Sequence, residues 1–140
     1  MPRIELDLPE HFPFKTVIEV RPMDVDPHGR LDLQALRLLM DEARIKFFLS
    51  KGYRGRDIEG AETILTDAVV IREEHATGGD ALVFEVAIQK FSRTGCDLFY
   101  RISSTRTGAE VAKAKTAIAF MDPCTGGSIP VPERFWNKFL

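Results

Sequence analysis

The segment that most constrains the fold is residues 33–50, LQALRLLMDEARIKFFLS. Leu33, Leu36, Met40, Ala43 and Phe47 recur at helical spacing on one face, while Leu39, Phe48 and Leu49 widen the apolar arc well beyond a narrow stripe. Asp32 is a natural N-cap, because its short carboxylate can accept from the first free N–H groups. Gly52, after Lys51, is a natural stop. A helix this apolar is expected to be buried along most of its length, and it therefore needs a sheet wrapped around it.

The rest of the chain supplies one. Residues 15–21 (KTVIEVR) alternate with Thr16, Ile18 and Val20 on one face, which reads as a strand ended by Pro22. After the loop GYRGRDIEGA come four strand-like runs, at about 62–74, 81–91, 96–106 and 110–122. Gly78-Gly79-Asp80, Thr94-Gly95 and Thr107-Gly108 separate them in the manner of hairpin turns. The tail, with Pro123, Pro130 and Pro132 and the aromatic residues Phe135, Trp136 and Phe139, is expected to pack across the domain or against a neighbour. Strand, long helix, four strands: the order predicts an α+β domain in which a curved antiparallel sheet wraps one helix. With 140 residues and no internal repeat, residues 1–140 read as a single domain.

Composition narrows the function classes. A formal net charge of −2 offers no basic stripe for nucleic acid. No apolar run approaches the roughly 20 residues that span a bilayer. The N-terminal MPRIELDLPEHFPF lacks the continuous apolar core of a secretory signal. Cys96 and Cys124 fall in no metal-binding spacing and read as free thiols of a reducing compartment, so a cytoplasmic location is expected.

Between strand and helix lie residues 22–32, PMDVDPHGRLD, a structured turn with two prolines, a glycine and three aspartates. Asp24-Val25-Asp26 has the spacing of a two-carboxylate metal site, but the chain is too short and wrongly ordered for the nucleotide-binding domain such sites serve. Asp24 reads as a turn builder through Asx hydrogen bonds. Asp26 differs, because Pro27 holds it extended and positions it to project from the turn. A carboxylate just ahead of a helix N-terminus sets a base or nucleophile beside free backbone donors, which is equipment for acyl transfer.

These residues carry a resemblance. Asp24-Val25-Asp26-Pro27-His28-Gly29, followed by a helix with Asp41-Glu42-Ala43-Arg44, resembles the hotdog-fold acyl-CoA thioesterases of the 4-hydroxybenzoyl-CoA thioesterase type. Gly79-Asp80, the run Lys90-Phe91-Ser92-Arg93-Thr94, Phe120-Met121-Asp122 and Pro130-Val131-Pro132 are similar to the family's later stretches, so the likeness extends over about residues 14–134. The resemblance implies a single hotdog domain that hydrolyses an acyl-CoA or acyl-carrier-protein thioester. Asp26 would be the catalytic carboxylate, as nucleophile or as base for a water, and the Leu33 amide would polarise the thioester carbonyl. Lys90 and Arg93 would meet the phosphates of coenzyme A, against the plainer reading of solvated rim charges. No metal or redox cofactor is implied, coenzyme A entering only as part of the substrate. A homodimer, or a tetramer of two dimers, is implied too, with active sites at the dimer interface; pairing would also remove an exposed sheet edge.

Arg30 and Asp32 stand where many members have His and Asn, and Leu36 where an aromatic residue is common. An aspartate at the helix start opposes an oxyanion unless it caps the helix or Arg30 neutralises it. Two alternatives follow. His28 with Asp24 or Asp32 could run hydration or dehydration of an acyl thioester. A non-catalytic acyl-thioester-binding or assembly module would instead show Asp26 on the surface with no adjoining pocket. Asp41 and Glu42 are reserve carboxylates, although Glu42 with Lys46 also makes an ordinary i,i+4 pair. His11 and His75 are assigned nothing, and Phe14, Phe47, Phe48, Phe84 and Phe91 read as core or tunnel wall.

Overall fold

A computed structural model of the chain describes residues 5–139. Met1–Ile4, the start of the segment read above as unlike a secretory signal, and Leu140 lie outside the described residues. The elements in order are β1 (Phe14–Glu19), a 3-10 turn (Pro22–Asp24), α1 (Leu33–Ser50), β2 (Glu62–Arg72), β3 (Ala81–Gln89), β4 (Gly95–Ser104), β5 (Glu110–Met121) and α2 (Glu133–Lys138). The five strands form one curved antiparallel sheet in the order β1-β3-β4-β5-β2, with α1 against it. This is the hotdog arrangement.

The helix begins and ends where its sequence says it should. Asp32 caps it, accepting on Oδ2 from Gln34 N at 3.0 Å and Ala35 N at 3.4 Å. At the other end Gly52, at φ +93°, closes the last turn, and the Lys51, Gly52 and Tyr53 amides return to the carbonyls of Phe48 and Leu49. Leu36, Leu39, Met40, Ala43, Phe47 and Phe48 are buried. They meet the inward residues of the strands, among them Phe84, Val86, Leu98 and Ile102, each 0% exposed. Removing one of these larger side chains would cost about 2–5 kcal/mol through lost transfer energy and the cavity left behind.

Two expectations need correction. First, α1 is not buried along most of its length: Leu38 is 68% exposed and Ile45 56%, and Leu33 and Leu49 are also exposed. Leu38, Ile45 and Leu49 lie at i, i+7 and i+11, so they form one apolar stripe on the side of the helix away from the sheet core. The sheet of a single chain is wide enough to cover only one face. Second, Gly78-Gly79-Asp80 does not close a hairpin, because β2 pairs with β5 and β3 with β1. The connection crosses between the two halves of the sheet. Turn residues report a local reversal and not which strand will be the neighbour. The tail packs across the domain as expected, and it contains a helix, α2, whose Phe135 is 0% exposed among the rings of Phe48, Tyr53, Phe91, Phe120 and Phe139. Six residues are too few to be helical on propensity alone, and it is this packing that holds them.

β1 and β2 are the outer strands. β2 carries a bulge at Thr66, where the register with β5 jumps from Leu65 to Asp67, and Ile64 near its start is 46% exposed. Among the described residues no helix is long and apolar enough to cross a membrane.

Candidate active site

The turn between β1 and α1 folds as a miniature hairpin. Val25 bridges Leu31, the Asp26 amide donates to the Arg30 carbonyl at 2.7 Å, and the Gly29 amide donates to the Asp26 carbonyl at 2.9 Å. Gly29 sits at φ +78°, a conformation that glycine takes without strain. One level lower, the Asp32 amide donates to the Asp24 carbonyl at 2.9 Å, which docks the start of α1 onto the hairpin.

The two aspartates do different work. Asp24 is buried, and its Oδ2 accepts from the Arg21 amide at 2.9 Å, as a turn builder does. Asp26 also takes part in the turn: its Oδ1 accepts from the His28 amide at 2.8 Å and the Arg30 amide at 3.1 Å. The Arg30 N–H, and after it the His28 N–H, hold this carboxyl below the usual carboxylate range, against the opposing effect of burial. Oδ2 accepts no hydrogen bond among the described residues. Asp26 is thus an ionised carboxylate with one oxygen fixed and one free. Such a carboxylate can serve as a nucleophile or as a base for a water.

Seven residues on, the helix presents its donors. Asp32 takes the Gln34 and Ala35 amides on its side chain and the Leu36 amide on its carbonyl, but the Leu33 N–H meets no acceptor among the described residues. That free donor stands at the positive end of an 18-residue helix. Asp26 is two residue steps from the level at which α1 starts, about 7 Å of extended chain.

The hairpin is clamped from behind. The Leu31 amide donates to the Ala76 carbonyl at 2.7 Å, Arg30 bridges Thr77, and Arg72 Nη2 donates to the Leu31 carbonyl at 2.6 Å. Arg72 has no carboxylate partner among the described residues, so this backbone oxygen is its anchor. Arg21 Nη2 meets Glu42 Oε1 at 2.7 Å, joining the end of β1 to mid-helix, and Glu42 also pairs with Lys46 at 3.5 Å. Nothing in the pattern of the sequence singles out Arg21 or Arg72. Each gains its role from a partner 21 or 41 residues away.

The other predicted site residues divide between this turn and more distant places. Arg30 and Asp32 share the turn with Asp26. Lys90 and Arg93 lie in the β3–β4 hairpin, about 26 Å along β3 from the end of the sheet that holds the turn. There Lys90 Nζ sits 5.6 Å above the Phe99 ring and the Arg93 carbonyl accepts from the Val131 amide. Within one chain, then, these cations and Asp26 are at opposite ends. His28 is exposed, and its ring makes no hydrogen bond to Asp24 or Asp32. Asp41 lies 3.8 Å from Arg44, about one turn along α1.

Two cavities stand out, and neither is lined by Asp26 or Leu33. One, of about 580 Å³, is walled by Glu5, Asp7, Arg72, Glu73 and Lys113. The other, of about 530 Å³, lies between the second half of α1, the loop after it and the first residues of β2. Asp26 is half-exposed and lines neither of these cavities.

Comparison with known proteins agrees with this architecture. No curated protein matches in sequence. Among solved structures, the 1,4-dihydroxy-2-naphthoyl-CoA thioesterase from Synechocystis superposes with a TM-score of 0.83 at 19% identity, over 90% of this chain and 94% of that one. A gentisyl-coenzyme A thioesterase gives 0.81 at 15% identity, over 91% and 100%. A thioesterase from Thermus thermophilus, complexed with coenzyme A and Zn, gives 0.76 at 20% identity, over 93% of each chain. At these identities the likeness is one of fold. The family model of the thioesterase-like superfamily matches residues 20–139, and the chain belongs to that superfamily.

Proposed function

We propose that the protein hydrolyses an acyl-CoA or acyl-carrier-protein thioester, with Asp26 as nucleophile and the Leu33 amide as oxyanion donor. The observation that carries this reading is the pair itself: a carboxylate with one oxygen anchored by two backbone amides, in the turn that leads into a helix whose first amide, Leu33 N–H, meets no acceptor among the described residues. Asp26 Oδ2 attacks the carbonyl carbon, the carbonyl oxygen gains negative charge against the Leu33 amide, and the C–S bond breaks to release the thiolate. Water then cleaves the acyl-aspartyl anhydride, returning the carboxylate and freeing the acid. The reaction uses only the thioester, water and groups of the protein, with coenzyme A as part of the substrate.

The reading includes a homodimer, or a pair of dimers, built on the free edge of β2. Ile45, of the exposed stripe Leu38, Ile45 and Leu49, lines the same cavity as the exposed Ile64 near the start of that edge. Arg72, at the end of β2, is bonded to Leu31 ahead of α1, whereas the 530 Å³ cavity lies at the start of β2. Antiparallel pairing of two β2 edges about a two-fold axis sets the start of one strand beside the end of the other. Each Asp26 then acquires a pocket from the second copy.

The half-exposed Asp26 also suits a second reading, a non-catalytic module that binds acyl thioesters. Thiol release from a panel of aryl, short-chain and long-chain acyl-CoAs and from acyl-carrier-protein thioesters, wild type beside Asp26→Asn, separates the two. Asn keeps an oxygen to accept the turn amides, so the variant should melt with wild type while losing at least about 10²-fold in kcat. Full activity in the variant would reject Asp26 and turn attention to Asp41 and Glu42. No turnover of any thioester by wild type would reject hydrolysis in favour of the binding module.

A further inference from the structure

The 530 Å³ cavity holds an unusual arginine. Arg44 is on α1, and its side chain is only 18% exposed. Its nearest carboxylate, Asp41 Oδ1, is 3.8 Å away, beyond hydrogen-bond length, and its guanidinium donates no hydrogen bond to any described residue. None of its nitrogens is sealed from solvent either, so the donors open into the cavity they line. A guanidinium stripped of most of its water is costly without acceptors, and its planar fork matches a carboxylate. Arg56 lines the same cavity, against one carboxylate, Glu62. Phe48, Tyr53 and Ile58 supply apolar wall for a carbon skeleton.

We infer that this cavity takes an acyl group whose far end is a carboxylate, Arg44 binding that carboxylate with Arg56 beside it. The substrate class is the half-thioester of a dicarboxylic acid. Along one helix Leu33 and Arg44 are 11 residues apart, about 16 Å, which is long for a compact acyl group. The β2-paired dimer removes that distance, bringing the cavity of one copy to the turn of the other. The inference therefore rests on the hydrolase and dimer reading above, and the acyl group held by Arg44 is the one attacked by Asp26 of the partner subunit.

A matched pair of esters tests it: adipoyl-CoA and hexanoyl-CoA, equal in chain length and differing in the terminal carboxylate. Wild type should favour adipoyl-CoA by at least about tenfold in kcat/KM, and Arg44→Gln should bring the two esters together chiefly by raising KM for adipoyl-CoA. Arg56→Gln, on an exposed loop residue, should narrow the preference without threatening the fold. Mixed and re-formed dimers of Asp26→Asn with Arg44→Gln should regain about a quarter of wild-type activity toward adipoyl-CoA, since half the dimers are mixed and each has one complete site. Calorimetric titration of Asp26→Asn with both esters reads the preference without turnover.

Equal kcat/KM for the two esters in wild type would overturn the inference while leaving hydrolysis intact. Turnover of neither ester, with tighter binding of adipoyl-CoA that Arg44→Gln abolishes, would keep the anion site and reject the hydrolase reading. Failure of the mixed dimers to regain activity would overturn the assignment across two copies. Should Arg44→Gln instead dissociate the dimer in sedimentation, with no ester preference in wild type, the acceptor for Arg44 is the second copy and not a ligand.

Discussion

Asp32 is asked to do two things that conflict, and separating them is a sharp test of the site. Its carboxylate caps α1, accepting from Gln34 N and Ala35 N, and it also places a negative charge beside the Leu33 amide. An oxyanion held at that amide would lie roughly 6 Å from the carboxylate, where Coulomb repulsion is about 0.7 kcal/mol at the dielectric of water and about 2.8 kcal/mol at an effective dielectric near 20. Relieving it should speed the acylation step by about 3-fold to 100-fold, and the exposure of Asp32 favours the lower part of that range. Asp32→Asn keeps a capping oxygen and removes the charge, so kcat should rise about 3–10-fold at an unchanged Tm. Asp32→Ala removes both, and losing the cap should cost about 1 kcal/mol, or about 3 °C in Tm for a chain of this length. Thiol release and thermal melts on the three proteins suffice. If Asp32→Asn lost activity while melting like wild type, the carboxylate itself would be needed for the reaction, and the oxyanion argument at Leu33 would be wrong.

Three more outcomes follow from the same geometry. Arg72→Met should free the Leu31 carbonyl and loosen the turn, lowering kcat about tenfold or more with a smaller change in KM; a change in Tm alone would show that Arg72 is merely structural. Asp26, Asp80 and Glu42 are all held below the usual carboxylate range, by the Arg30 amide, the Thr77 amide and the Arg21 guanidinium respectively. Their stabilisation is present above the unfolded carboxylate range and is lost as pH falls through their lower folded values, so Tm should hold to about pH 5 and drop below about pH 4, and the acid limb of kcat/KM should lie below about pH 4. Gly95→Ala should destabilise by about 3 kcal/mol, because a Cβ there would collide with the backbone carbonyl oxygen of Ile118 on the neighbouring strand; a melt within about 1 °C of wild type would refute that packing.

Much of the fold could be read locally. The helix is bounded by Asp32 and Gly52 because capping depends on residues within one turn. The strands were legible because the alternation of Leu82, Phe84, Val86 and Ile88 records burial on one face. The turn around Asp26 was legible for the same reason, since Pro27 and Gly29 set backbone angles by their own chemistry. The β3–β4 and β4–β5 hairpins followed, but the stretch at 78–80, with turn residues just as good, turned out to be a crossover.

What the sequence determined by itself is therefore the five strands, the long helix and the turn between them, because each of these depends on neighbours a few residues apart, whereas α2 needed the packing of Phe135. Tertiary structure alone decided that β2 joins β5 and leaves an open edge, that Arg72 reaches back 41 residues to hold Leu31, and that Arg44 is enclosed with only a long ion pair to Asp41. It also decided that the outer stripe of α1 stays bare in a single chain. Those outcomes depend on how one sheet closes around one helix, and closure is a property of contacts across the whole chain that no local pattern encodes.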